Sequence, residues 1–223
     1  MSTPVRAAHR LDLTAVEASL RGVQAQFVGI NQRLAAHRDL LDDRVVDNML
    51  AGYAFVDALV AAGTDVFALG QLKHLLELNT LVLCGASEAR RAAHAGHRTA
   101  TEQRFYDEPD GGIQDVVEWY ADHDDEPVWM RAAGVYVQML STPQLFIEGN
   151  HRTGVLMMSY VLLRDGQAPF VLTAQSAEAY FEVSTALRQT HKHGPIALFR
   201  LPRLRRRLAA MLRDHDDARY LLA

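Results

Sequence analysis

Gln144-Leu145-Phe146-Ile147-Glu148-Gly149-Asn150-His151-Arg152-Thr153-Gly154-Val155 is the stretch on which the reading of this chain turns. An acidic residue precedes Gly-Asn, and a basic pair follows it. Leu156, Met157, Met158, Ser159, Tyr160, Val161, Leu162 and Leu163 come next, with hardly a polar break. A helix that is apolar on all sides is a buried helix, and Gly-Asn is turn chemistry. The sequence therefore predicts a glycine-turned loop that feeds the N-terminus of a central, buried helix. Such a helix start offers unpaired N–H groups and the positive end of the helix dipole to an anion. Arg152 supplies a bidentate contact to a phosphate. Glu148, just before the turn, is placed to hold Mg²⁺ over the same phosphates.

Outward from that stretch the chain reads as helices. Val16, Leu20, Val23, Phe27, Ile30 and Leu34 recur at steps of three and four, with Asp12 or Thr14 as cap. Asp42-Asp43 interrupts the period. A second helix carries Val46, Met49, Tyr53, Val56 and Val60 and ends at Gly63; a third opens at Asp65, carries Val66, Leu69, Leu72, Leu76 and Leu83, and ends at Gly85. Residues 96–112 break the helical period. Their threonines and aromatics suit extended backbone, and Pro109 with Gly111-Gly112 marks a loop. Two further helices are expected around 116–120 and from Val128 to Leu140. After the central helix, Arg164-Asp165-Gly166 is a stop, and a helix from Gln175 to Gln189 carries Tyr180 and Phe181. The last helix places Leu198, Leu201, Leu204, Leu208 and Leu212 on one face, with arginines between them and Pro202 at a first turn or a break. It either docks by its leucines or presents a basic face to an acidic partner or a membrane surface. The expected class is all-α, with one short extended pair near 98–106.

Composition narrows the classes. In 223 residues, 49% hydrophobic, there is material for a good core, and the chain reads as one domain over 1–223. The net charge of −4 argues against nucleic-acid binding by the whole surface. Cys84, the single cysteine, lies in an apolar run and excludes an internal disulfide framework. Met1 to Arg6 lacks the apolar run of a secretory signal, and no apolar stretch approaches a membrane span. A cytoplasmic protein is the expectation, with a loose arm over residues 1–11. His9, His37 and His74 show no ligand spacing and read as surface or core-edge residues. His123-Asp124-Asp125-Glu126 reads as a solvated helix start, and His191 with His193 as an exposed turn.

The opening stretch resembles the signature of the Fic/Doc (Fido) family, H-P-F-x-[DE]-G-N-[GK]-R-x-x-R. Phe146, Glu148, Gly149, Asn150 and Arg152 match it. Gly96-His97-Arg98-Thr99 resembles the family's entry to its target-binding flap, and Gly166-Gln167-Ala168-Pro169 its G-x-P segment. The likeness covers about 94–190. It implies a Fic-type helical domain, with a helical layer over about 12–90 and the basic helix at 195–223. It also implies a short β-hairpin flap that grips a protein target by strand addition; an ordinary connecting loop is the alternative. In the family the loop holds nucleotide phosphates, and most members transfer AMP from ATP to a protein hydroxyl. The resemblance therefore implies Mg²⁺ at Glu148, ATP or another phosphorylated small molecule at Gly149, Asn150, His151 and Arg152, and an aromatic near the nucleotide, for which Tyr180 stands in the right region.

Three positions depart from the signature. Its catalytic histidine falls on Gln144, its glycine or lysine after Asn150 is His151, and its second arginine is Val155. Glutamine cannot take a proton, and general-base catalysis contributes roughly 10²–10⁴ in rate. The expectation is a degenerate member, with phosphate binding kept and AMP transfer weak, altered or lost. His151 is a possible displaced base. A catalytically silent interaction module, working through the flap and the basic helix, is the alternative.

Overall fold

The computed structural model describes residues 10–222. Of the arm expected at residues 1–11, residues 1–9, with His9, lie outside that range. The described chain forms α1 (Leu13–Arg33), α2 (Asp43–Ala61), α3 (Lys73–Cys84), α4 (Glu88–Ala93), α5 (Ala95–Asp107), α6 (Ile113–Ala121), α7 (Val128–Leu140), α8 (Asn150–Arg164), α9 (Ala177–Arg188) and α10 (Ala197–Asp214), then a short 3-10 turn at Ala218–Tyr220. Extended pairing among the described residues amounts to two isolated bridges, Leu11 with Leu221 and Thr142 with His191. The fold is all-α, and no helix of the described residues is long and apolar enough to cross a membrane.

The helix starts follow from local chemistry. The Asp12 carboxylate accepts the N–H groups of Thr14 and Ala15, each at 3.0 Å, and Asp42 accepts that of Val45 at 2.8 Å. On α1 the predicted positions Val16, Leu20, Val23, Phe27 and Ile30 are the buried ones. The centre is α8, buried continuously from Thr153 to Leu163 and packed on α7, α2 and α3. Gly154 permits the close approach to α7, because a Cβ there would stand 2.6 Å from the Tyr136 ring. Hydroxyls tie the connecting segments to this centre. Tyr160 Oη donates to Thr64 O at 2.6 Å and accepts Val66 N–H at 3.0 Å, while Tyr53 Oη and Ser159 Oγ both donate to Phe170 O. Buried polar groups are thereby satisfied rather than left costly. Near the ends of the chain, Asp12 N–H donates to Tyr220 O and Leu222 N–H to Arg10 O.

Three expectations are corrected. The third helix starts at Lys73, not at Asp65. Asp65 instead accepts Phe67 N–H and pairs with Arg164, an Asx-type turn, and Gly70 takes a left-handed φ of 79° that stops a helix from running through. Leu69, expected on the buried face, is almost fully exposed. The extended flap at 98–106 is also absent: those residues lie within α5. Thr101 and Phe105, four apart, are its buried face, and Phe105 stacks on Phe146 at 5.6 Å. Strand preference of threonine and aromatics is weak and yields to such packing. A target-binding hairpin at this place is therefore withdrawn. On α10, Leu198 points to solvent rather than joining the docking face, and Pro202 lies inside the helix.

Candidate functional site

The loop before α8 is anchored by what it buries. Leu145 and Phe146 are core residues, Leu145 N–H donates to Met139 O at 3.1 Å, and Ile147 and Glu148 face solvent. Gly149 caps α8 at φ 78°, a conformation that glycine adopts without strain. It has no side chain to cap with, so the first amides of α8 have no side-chain acceptor. From α3, Asn79 Nδ2 donates to Glu148 O at 2.9 Å and to Thr153 Oγ1 at 3.1 Å, which fixes the turn from behind.

Asn150 is spent inside the loop. Its Oδ1 accepts Phe146 N–H at 2.8 Å, and its Nδ2 donates to Phe146 O at 2.7 Å. The side chain mimics a paired strand and closes the loop on itself. Gln144 sits at the base of the same loop, with Nε2 donating to Leu140 O at 3.1 Å and Oε1 3.5 Å from Asn150 Nδ2. Arg104 clamps its carbonyl with two nitrogens, at 2.7 and 3.1 Å. The structure thus brings together Gln144, Asn150 and Gly149. Arg152 donates to the Val82 carbonyl. Burial and Arg44 lower its pKa, against the opposing pull of Glu148, Asp42 and Asp39.

His151 and Tyr180 go elsewhere. The His151 ring has Nε2 3.2 Å from Arg38 Nη1 and Nδ1 3.2 Å from Tyr136 Oη. Burial first, then Arg38, Arg188 and Arg152, lower its pKa to about 3. The lone pair a base needs is already taken by a guanidinium, so the displaced-base role is corrected to that of a neutral brace. Tyr180 is buried, with its hydroxyl 2.7 Å from Tyr136 Oη and its pKa raised by burial. A ring enclosed in this way offers no face to a nucleotide, and that assignment is corrected too. Val155, where the signature has its second arginine, is a core residue.

Arg38 is the residue that sequence reading missed. It lies between α1 and α2, held by Asn31, whose Oδ1 accepts Arg38 N–H at 2.7 Å and whose Nδ2 donates to Arg38 O at 3.0 Å. Its guanidinium reaches His151, donates to Thr185 Oγ1 at 2.7 Å and lies 5.3 Å from the Phe181 ring centre. Nε is buried without a partner. Among the described residues no carboxylate pairs with Arg38, and burial lowers its pKa, with Arg188 adding to the effect. A lone basic residue in a connecting segment carries no periodic signal, which is why it went unseen.

Among the described residues, no cluster of three or more histidine, cysteine or acidic side chains forms a metal site. Mg²⁺, however, is commonly held by one or two carboxylates together with substrate phosphates. Glu148, exposed at the edge of the loop, fits that donor set when a phosphate supplies the remaining oxygens.

Comparison of this chain with protein-family models, with curated proteins and with solved structures finds no match.

Proposed function

We propose that the chain binds a phosphate-bearing ligand, with a nucleotide such as ATP foremost, at the Gly149–Arg152 loop, and that AMP transfer is weak, altered or lost. The observation that carries this reading is the uncapped start of α8 with the Arg38 guanidinium against its first turn. Gly149 leaves the first amides without a side-chain cap, and Arg38 beside them meets no carboxylate. Arg188 adds like charge to Arg38, while at Arg152 the like charge of Arg44 is opposed by Glu148, Asp42 and Asp39. An anion at that place relieves the repulsion and meets the helix dipole. The Fic/Doc resemblance adds ATP, Mg²⁺ at Glu148 and the transfer chemistry. Gln144 in place of a base removes roughly 10²–10⁴ of rate from that chemistry.

Calorimetric titration with a nucleotide panel, with and without Mg²⁺ at low ionic strength, tests the reading. Binding that weakens in Arg152→Ala and in Arg38→Gln supports it. Absence of any phosphate or nucleotide affinity would overturn it. That result would leave the second reading, an interaction module working through the C-terminal basic helix. Ile196, Leu198 and Phe199 favour this alternative: they stand 68, 77 and 82% exposed beside Arg200 and Arg203.

A further inference from the structure

Helices α3 and α5 face each other across a cleft of about 200 Å³, and every residue that lines it belongs to one of the two. On α5, His97 and Thr101 are one turn apart and share that wall. Thr101 is only 4% exposed, and its Oγ1 has no hydrogen-bond partner; His97 Nε2 is likewise buried and unpartnered. A threonine inside a helix ordinarily bonds back to the carbonyl one turn before it. Here it does not. A buried polar atom left without a partner is costly, and this wall holds two of them.

The rim carries both signs of charge. Lys73 and Arg98 are positive, and Glu102 is negative. Among the described residues these three make no ion pair, in contrast to Glu77 on the same wall, which Arg91 holds at 2.7 Å. We propose that this cleft binds a small zwitterion of amino-acid size. Its carboxylate meets Lys73 and Arg98, its ammonium group meets Glu102, and Thr101 Oγ1 and His97 Nε2 complete the hydrogen bonding inside. A purely anionic ligand would leave Glu102 facing like charge, and a purely cationic one would do the same to Arg98 and Lys73. The site is separate from the α8 start, since Gly149, Arg152 and Arg38 do not line it. Asn79 joins the two, because it stands in the cleft wall and also holds Glu148 O.

Calorimetry and thermal melting of the full chain against the free amino acids test this, with the deaminated acid and the decarboxylated amine of each binder as controls. At least one amino acid is expected to bind, with both controls weaker by about tenfold or more. Thr101→Val, which keeps the shape and removes the hydroxyl, and Arg98→Gln should each weaken binding by about tenfold. Arg152→Ala should leave it unchanged. Should Thr101→Val fail to fold, Arg98→Gln and Glu102→Gln, both at exposed positions, carry the test. The proposal is overturned if no amino acid binds at about 10 mM. It is overturned equally if the deaminated acid binds as well as the zwitterion, or if none of the variants weakens binding.

Discussion

Arg38 donates to Nε2 of His151 across 3.2 Å, and this contact fixes the tautomer of the residue beside the candidate phosphate loop. A guanidinium has no acceptor, so Nε2 must be the bare nitrogen and Nδ1 carries the proton. Nδ1–H then donates to Tyr136 Oη, Tyr136 donates to Tyr180 Oη at 2.7 Å, and Tyr180 turns back to His151 O at 3.5 Å. A second proton on His151 would point at a cation. The ring is therefore neutral, and it ties the α1–α2 connection, α7 and α9 to the start of α8.

This arrangement makes stability depend on acid. The folded pKa of His151, about 3, lies below its ordinary 6.5. Between those values the unfolded chain binds the proton and the folded chain does not, so stability is full above pH 6.5 and is lost as pH falls towards 3. Urea melts from pH 4 to 7 should show wild type losing up to about 1.4 kcal/mol per pH unit more than His151→Gln. Glutamine keeps an acceptor for Arg38 and a donor for Tyr136 without titrating. Parallel pH curves for the two proteins would contradict the neutral assignment.

Gly149→Ala should lower the melting temperature through two costs that reinforce each other. The residue holds φ 78°, and a Cβ would stand 2.8 Å from Asn79 Nδ2, the atom that braces Glu148 O. The expected loss is about 1–3 kcal/mol, read by denaturant melts.

Asn150→Ala should be costlier than an ordinary helix-start change. It strands the buried N–H and carbonyl of Phe146, each worth about 1–3 kcal/mol when left unsatisfied. Asn150→Asp keeps the acceptor for Phe146 N–H but sets an oxygen against Phe146 O, and it should not rescue. Full stability in either variant, measured by melting, would show that the side chain does not close the loop.

Gln144→His is expected to raise incorporation of labelled AMP from ATP and Mg²⁺, approaching the general-base factor of roughly 10²–10⁴. Val155→Arg, which would restore the signature's second arginine, should not help. Val155 is buried in the core around α8, and a cation there without a partner costs about 3–5 kcal/mol. Thermal melts alongside the transfer assay separate loss of fold from loss of chemistry. Wild type labelling as fast as Gln144→His would point to a base other than the one missing at this position.

Lys192 has its Nζ buried without a partner, and burial lowers its pKa to about 8 from 10.5. Between pH 8 and 10.5 the unfolded chain binds the extra proton, so the folded state gains stability as pH rises through that window. Lys192→Met should stabilise the protein at pH 7 by about 1–3 kcal/mol. Its advantage should shrink towards pH 10 in urea melts. A destabilised Lys192→Met would mean that the ammonium has a productive contact.

The sequence by itself determined what is local. Apolar steps of three and four set α1 and α2, Asp12 set one start, and an unbroken apolar run announced that α8 is central. Glycine before that run announced the turn at 149. Such features are written in neighbouring residues, because helix period and capping are contests between groups one turn apart. Tertiary structure decided the rest. Residues 98–106 carried threonines and aromatics that suit either backbone, and the buried face at Thr101 and Phe105, with Phe105 packed on Phe146, made them helix. His151 looked like a group near phosphate until Arg38, 113 residues away, took its lone pair. Tertiary structure likewise decided that the Asn150 side-chain amide closes on Phe146. No spacing rule encodes which side chains meet across such distances, since that is settled only when the whole core packs at once and each buried polar atom must find its partner.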